Sequence, residues 1–153
     1  MTRAFPRSGG EDIEIGTVAS PTVEFGTPGD SSFTYTHQEL SYIRYGNLVW
    51  FFLSIKFDTN AYTTASGLLQ CSVLPFAAAT PANFDLGFTA SGFFSKLTSA
   101  ATIMFSPYVL PGSSALRFAT VNSAGTRTIV TTAKVPASVT DYVISACGIY
   151  RKA

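Results

Sequence analysis

This sequence is short of charge. Asp, Glu, Lys and Arg make up 12% of it, about half the ~25% of an ordinary globular chain. The helix formers Leu, Glu and Lys are scarce, and Ser, Thr and Gly supply the surface polarity instead. Such a surface suits a chain whose faces are partly covered in an oligomer. A net charge of +1 gives no global attraction for nucleic acid. Disorder is excluded as well, because it needs low hydrophobicity and high net charge, and 46% of these residues are hydrophobic.

The residues of chemistry are also few. There is one histidine, His37, on an alternating stretch with no second ligand near it, whereas zinc takes three or four Cys, His or acidic ligands. Nucleophile-elbow, P-loop and EF-hand patterns are absent. Four acids lie in the body of the chain, Glu39, Asp58, Asp85 and Asp141, and two of them could in principle serve glycan cleavage. Turn capping explains each more simply, since Asp bonds its own downstream backbone. Arg44 beside Tyr42 and Tyr45 could stack on a nucleic-acid base, yet a lone arginine there reads as an exposed strand residue. The expectation is no enzyme, no metal and no cofactor.

Long apolar runs are missing too. The longest, Leu48 to Leu53, is far below the ~20 residues of a membrane helix. The opening "MTRAFPRSGGEDIEIG" lacks the apolar core of a signal peptide. The chain therefore reads as made in a cytoplasm, with no membrane partner and no export by the usual route. Its two cysteines, Cys71 and Cys147, sit in apolar, strand-like stretches. Both read as buried free thiols, with a single long-range disulfide as the open alternative.

What is present is β-structure. At 153 residues the chain is one domain on size, able to bury about 70% of the surface its unfolded form exposes. Residues 1–30 form a distinct leader, with Pro6, Pro21 and Pro28 among short apolar snippets. They carry five acids against two arginines, while the remainder carries eight bases against four acids. That composition predicts an extended N-terminal arm with one or two edge strands, because proline is kept out of central ladder positions. Arg3, Phe5, Ile13, Ile15, Val23 and Phe25 are its candidate contacts to a neighbour. An arm of this kind would be removable without unfolding the rest.

From residue 31 onward the chain reads as a β-sandwich or jelly roll. In "LSYIRYGNLVWFFLSIKF", Gly46-Asn47 is a two-residue turn signal. After it Val49, Phe51, Leu53, Ile55 and Phe57 alternate with Trp50, Phe52, Ser54 and Lys56. The first set is the core face. Further strands are predicted over 68–74, 101–105, 115–121, 126–133 and 142–150, separated by Pro, Gly, Ser and Asn, with a helical turn over 136–141. Trp50 and Phe52, together with Phe93 and Phe94 in the "SGFFSK" loop, are candidate subunit contacts. Either a second sheet of the same molecule or a sister copy must cover them.

Three stretches carry a resemblance. "SYIRYGNLVWFFLSIKF" resembles the Tyr-x-Arg-x-Gly-Asn-x-Val strand-turn-strand of phage virion knob domains. "VLPF" at 73–76 is similar to the Leu-Pro-Phe turn of the same group, and "YVISACGIYRKA" to its closing strand, with Cys147 where a small polar residue or glycine is usual. The likeness runs from about residue 33 to 153. It implies a trimeric jelly-roll knob on the surface of a phage particle, at a tail-fibre tip or as a capsid cement (head-decoration) protein, and it brings no catalytic residues. A leader of about thirty residues is too short for a fibre shaft, which favours a decoration protein bound to the major capsid protein. The alternative is a receptor-binding knob that recognises a host-surface glycan through Tyr62, Phe93, Phe94 or loop polar groups.

Overall fold

A computed structural model describes residues 3–5, 13–72, 74–80, 88–98 and 102–153, the backbone alone at 3–5, 88–89 and 102–103. The fold is all-β, and every strand pair is antiparallel. Its strands are β1 (Arg3–Phe5), β2 (Ile13–Val18), β3 (Val23–Thr27), β4 (Phe33–Tyr45), β5 (Leu48–Thr59), β6 (Ser66–Cys71), β7 (Phe88–Phe94), β8 (Thr102–Val109), β9 (Leu116–Asn122), β10 (Arg127–Ile129) and β11 (Tyr142–Arg151). The first sheet runs β1-β2-β4-β5-β11, and the second runs β8-β9-β6-β3, with β10 also on β9. Strand β7 joins them: 90–94 pair with β11 and 88–89 with β8.

The predicted hairpin is the spine of the first sheet. Tyr45 pairs with Leu48 across Gly46-Asn47, and Gly46 takes the positive φ (56°) that this tight turn needs. All five alternating residues from Val49 to Phe57 are buried, at 0–3% exposure. From the second sheet, Phe25, Leu69, Leu116 and Phe118 meet them in one core. Aromatic rings carry that core. Phe57 stacks on Tyr142 at 5.3 Å, and Phe94 and Phe105 each lie against Phe118, at 6.3 and 5.5 Å.

The leader departs from the expected free arm. Strand β2 pairs with β4 along its whole length, and β3 pairs with β6 in the opposite sheet, so residues 13–27 feed both layers. Val23 and Phe25, expected as contacts to a neighbour, are 3% and 1% exposed inside the molecule's own core. Their burial follows from register: Val23 lies opposite Cys71 and Phe25 opposite Leu69, both inward positions. The Tyr35 hydroxyl closes the outer edge of β3, accepting from Val23 N at 2.9 Å and donating to Val23 O at 3.1 Å. Gln38 Nε2 donates to Pro21 O at 2.8 Å, holding the crossing between layers. The proline-rich composition marks crossings here, with Pro21 and Pro28 outside the ladders.

Three other expectations change. "FTASGFF" is the strand β7 and not a loop. Residues 136–141 form no helix: Pro136 O and Val139 O accept from the Thr59 hydroxyl. The strand predicted over 126–133 shortens to β10, 127–129.

Two local devices give testable consequences. At the β2 edge the Tyr42 ring lies over Gly16, where an added Cβ would sit 2.6 Å from Tyr42 Cζ. This lets the Tyr42 hydroxyl donate to Glu14 Oε1 at 2.7 Å, while Arg44 Nε donates to Glu14 Oε2 at 2.7 Å. Gly16→Val is expected to displace the ring, at a cost of about 1–3 kcal/mol, read as a lowered midpoint in urea unfolding.

On a different loop, the Asp30 carboxylate accepts from the N–H groups of Thr63 and Thr64 at 2.8–2.9 Å and from both their hydroxyls at 2.9–3.0 Å. The Thr64 N–H, ahead of the others, holds this carboxyl well below the usual carboxylate range. A depressed folded-state pKa means that the tie is at full strength above about pH 4 and is lost as pH falls through the lowered value. Amide exchange at Thr63 and Thr64 should accelerate relative to their neighbours only in strong acid. In Asp30→Asn it should be fast at every pH.

Candidate functional site

Two inward-facing layers leave two outward faces, and they differ in chemistry. On the first sheet the pairing sets outward residues in rows across the strands. Ile15, Ile43, Trp50 and Ile149 form one row. Ile13, Tyr45 and Leu48 form the next on one side, and Phe52 with Cys147 lies on the other. Phe93 stands one row further on, opposite Ser145.

Apolar side chains dominate these rows although they face out. Phe93 is 58% exposed, Phe52 54%, Ile149 49% and Ile15 44%. Between them the surface dips. A depression of about 330 Å³ is walled by Ile13, Ile43, Tyr45, Trp50 and Phe52, and one of about 470 Å³ by Trp50, Phe52, Ser91, Cys147 and Ile149 among others. Among the described side chains charge is confined to the margins, with Arg151 level with Leu48 at one end and Glu39, Lys56 and His37 at the other. His37 Nε2 stands 3.9 Å from Glu39 Oε2, both exposed.

The expected contact residues divide accordingly. Trp50, Phe52 and Phe93 share this face. Phe94 does not: it is 7% exposed, alternates inward on β7, and packs on Phe105 and Tyr142 at 5.5 and 5.8 Å. Ile13 and Ile15 of the leader join the face as members of β2. The backbone of β1 puts Arg3 and Phe5 in register with Ile15 and Ile13; their side chains lie outside the described residues. Ile43, Leu48 and Ile149 were missed from sequence. Each alternates properly within its own strand, but only the register brings them beside Trp50.

Cys147 corrects a further expectation. It is exposed on this face, level with Phe52, whereas Cys71 is buried between the layers, and both are free thiols. Burial pushes the Cys71 thiol up to about 12. They lie on opposite sides of a sheet, so they do not pair.

Among the described residues no three His, Cys, Asp or Glu side chains gather to hold a metal ion. The Asp58 carboxylate accepts from Asp141 N at 2.7 Å, and the Asp141 carboxylate pairs with Lys56 Nζ at 2.8 Å, so both acids tie the entry to β11. Asp85 lies outside the described residues. Among them no helix is long and apolar enough to cross a membrane. No family model, curated protein or solved structure matches the chain.

Proposed function

We propose that this protein is a structural component of a tailed-phage particle, a capsid decoration protein that binds the outer shell as a homotrimer and stiffens it. The observation that supports the reading is the set of exposed Ile, Leu and Phe side chains around the half-buried Trp50 on the first sheet. An apolar face of this size on an isolated molecule marks a protein interface, and a contact between like copies covers it without leaving buried charge. The jelly-roll knob belongs to the same reading and rests on the strand-turn-strand at 42–49 and the closing strand. Three copies joined through this face would grip a shell by avidity, each weak foot raising the effective concentration of the others. Strand β1 ends the first sheet, and its outer edge would be the place where a strand of the major capsid protein adds.

The receptor-binding alternative loses most of the aromatic residues first assigned to it. Phe94 is in the core, and the Tyr62 hydroxyl is spent on Val135 O, which leaves Phe93. Adding the purified protein to expanded heads that lack it tests the choice. Density on the shell at positions where three capsid subunits meet is the expected result. Binding to cells or tails with bare heads would overturn the decoration reading.

A further inference from the structure

We infer that the outward face of the second sheet holds a site for one carboxylate- or sulfate-type group on a hydroxyl-rich ligand, anchored by Arg117 and Arg127. In that sheet Leu116 and Phe118 point inward, so Arg117 points outward, level with Tyr108 on β8 and Gln70 on β6. Arg127, from β10, lies over Tyr108 with its Cζ 3.9 Å from the ring centroid. The ring is 7% exposed although it is outside the core cluster, because this guanidinium covers it. A stacked guanidinium uses its face on the ring and keeps its N–H edge for an acceptor.

Arg117 supplies the second, independent sign. Its Nε is buried and has no hydrogen-bond partner among the described residues. A charged group's N–H left this way is costly, and an acceptor from outside the chain, a water or a ligand group, would satisfy it. Among the described residues neither arginine has a carboxylate within ion-pair distance. Both arginines thus neighbour Tyr108, and among the described residues neither has the anion that ordinarily accompanies it.

The neighbours narrow the ligand. Glu24, two strands from Arg117 and so roughly 10 Å away, accepts from Gln70 Nε2 at 3.0 Å and from the Ser72 hydroxyl. Acceptor, amide and cation follow one another across three strands. That order matches a ring bearing hydroxyls at one end and a single anionic group at the other. A polyanion such as nucleic acid meets repulsion at Glu24 and finds too few cations.

The test follows the Arg117 Nε–Hε signal by NMR in the purified full-length protein, titrated with glucuronate, glucose 6-sulfate, glucose, and sodium chloride at matched ionic strength. Saturable movement with glucuronate or the sulfate, but not with glucose or chloride, is expected, and the stronger of the two names the anion. Arg127→Ala should weaken binding roughly tenfold. Arg127 is exposed, so this variant keeps the fold and stays informative if Arg117→Lys does not. No saturable movement with either acid, equal movement with chloride, or unchanged affinity in Arg127→Ala would overturn the site. The measurement makes no use of particles, so its failure leaves the virion reading where it stands.

Discussion

Phe25→Ala is expected to cost about 3–5 kcal/mol, a large part of the 5–15 kcal/mol that holds a domain of this kind together. The residue comes from a proline- and glycine-rich leader, yet its ring is 1% exposed and lies 5.8 Å from Phe33 and 5.4 Å from Tyr62. Truncation to alanine leaves a cavity bounded by aromatic rings, which cannot flow into it. Removing residues 1–27 should be worse, since it takes β2 from one sheet and β3 from the other and strips Leu69 and Cys71 of their cover. Urea unfolding of Phe25→Ala and the solubility of the truncated chain are the measurements. A truncated protein with an unchanged urea midpoint would restore the free arm.

Phe52→Asp should do the opposite: leave the fold intact and break the assembly. The side chain is 54% exposed, so on a monomer its replacement stays within about 0.5 kcal/mol. In a contact between copies its ring stands between Trp50 and Phe93 on this face. A charge there is buried without a partner, and losses of about 2–4 kcal/mol per contact are typical of a central aromatic anchor. The expected outcome is a change from trimer to monomer at an unchanged monomer urea midpoint and an unchanged far-UV spectrum. Glu39→Ala, at the charged margin of the same face, serves as the control and should stay trimeric. Loss of assembly in both variants, or in neither, would remove the face from the interface.

How much of this was legible beforehand depends on the length scale of the signal. The hairpin around Gly46 could be read because turn chemistry and period-two alternation are both local, and the five core residues after it followed. Strand β7 could not. "FTASGFF" carries Gly, Ser and Ala where β-branched residues would announce a strand, and it is extended because β11 and β8 flank it. The same blindness put Phe94 on the surface beside Phe93, when a strand sends adjacent residues to opposite faces. The leader was read in part: its short edge strands were expected, and β1 and β3 do end the strand order, but the place of β2 and β3 in the molecule's own two layers was not. Its prolines and glycines mark crossings between layers, and a short crossing has the composition of an arm.

The outward apolar face was half legible. Trp50 and Phe52 stood out by size, but Ile15, Ile43 and Ile149 come from three other strands and become neighbours only through register. On the second sheet, Arg117 and Arg127 carried no signal at all in sequence. One sits between core residues, and the other follows a turn. Pairing with β8 and β9 sets them around Tyr108.

Sedimentation of the intact protein at micromolar concentration tests the central claim, that sister copies cover the outer face of the first sheet. A single species of about three times the 16.3 kDa chain mass is the predicted result. A stable 16.3 kDa species with Phe52 and Phe93 left in water would contradict it.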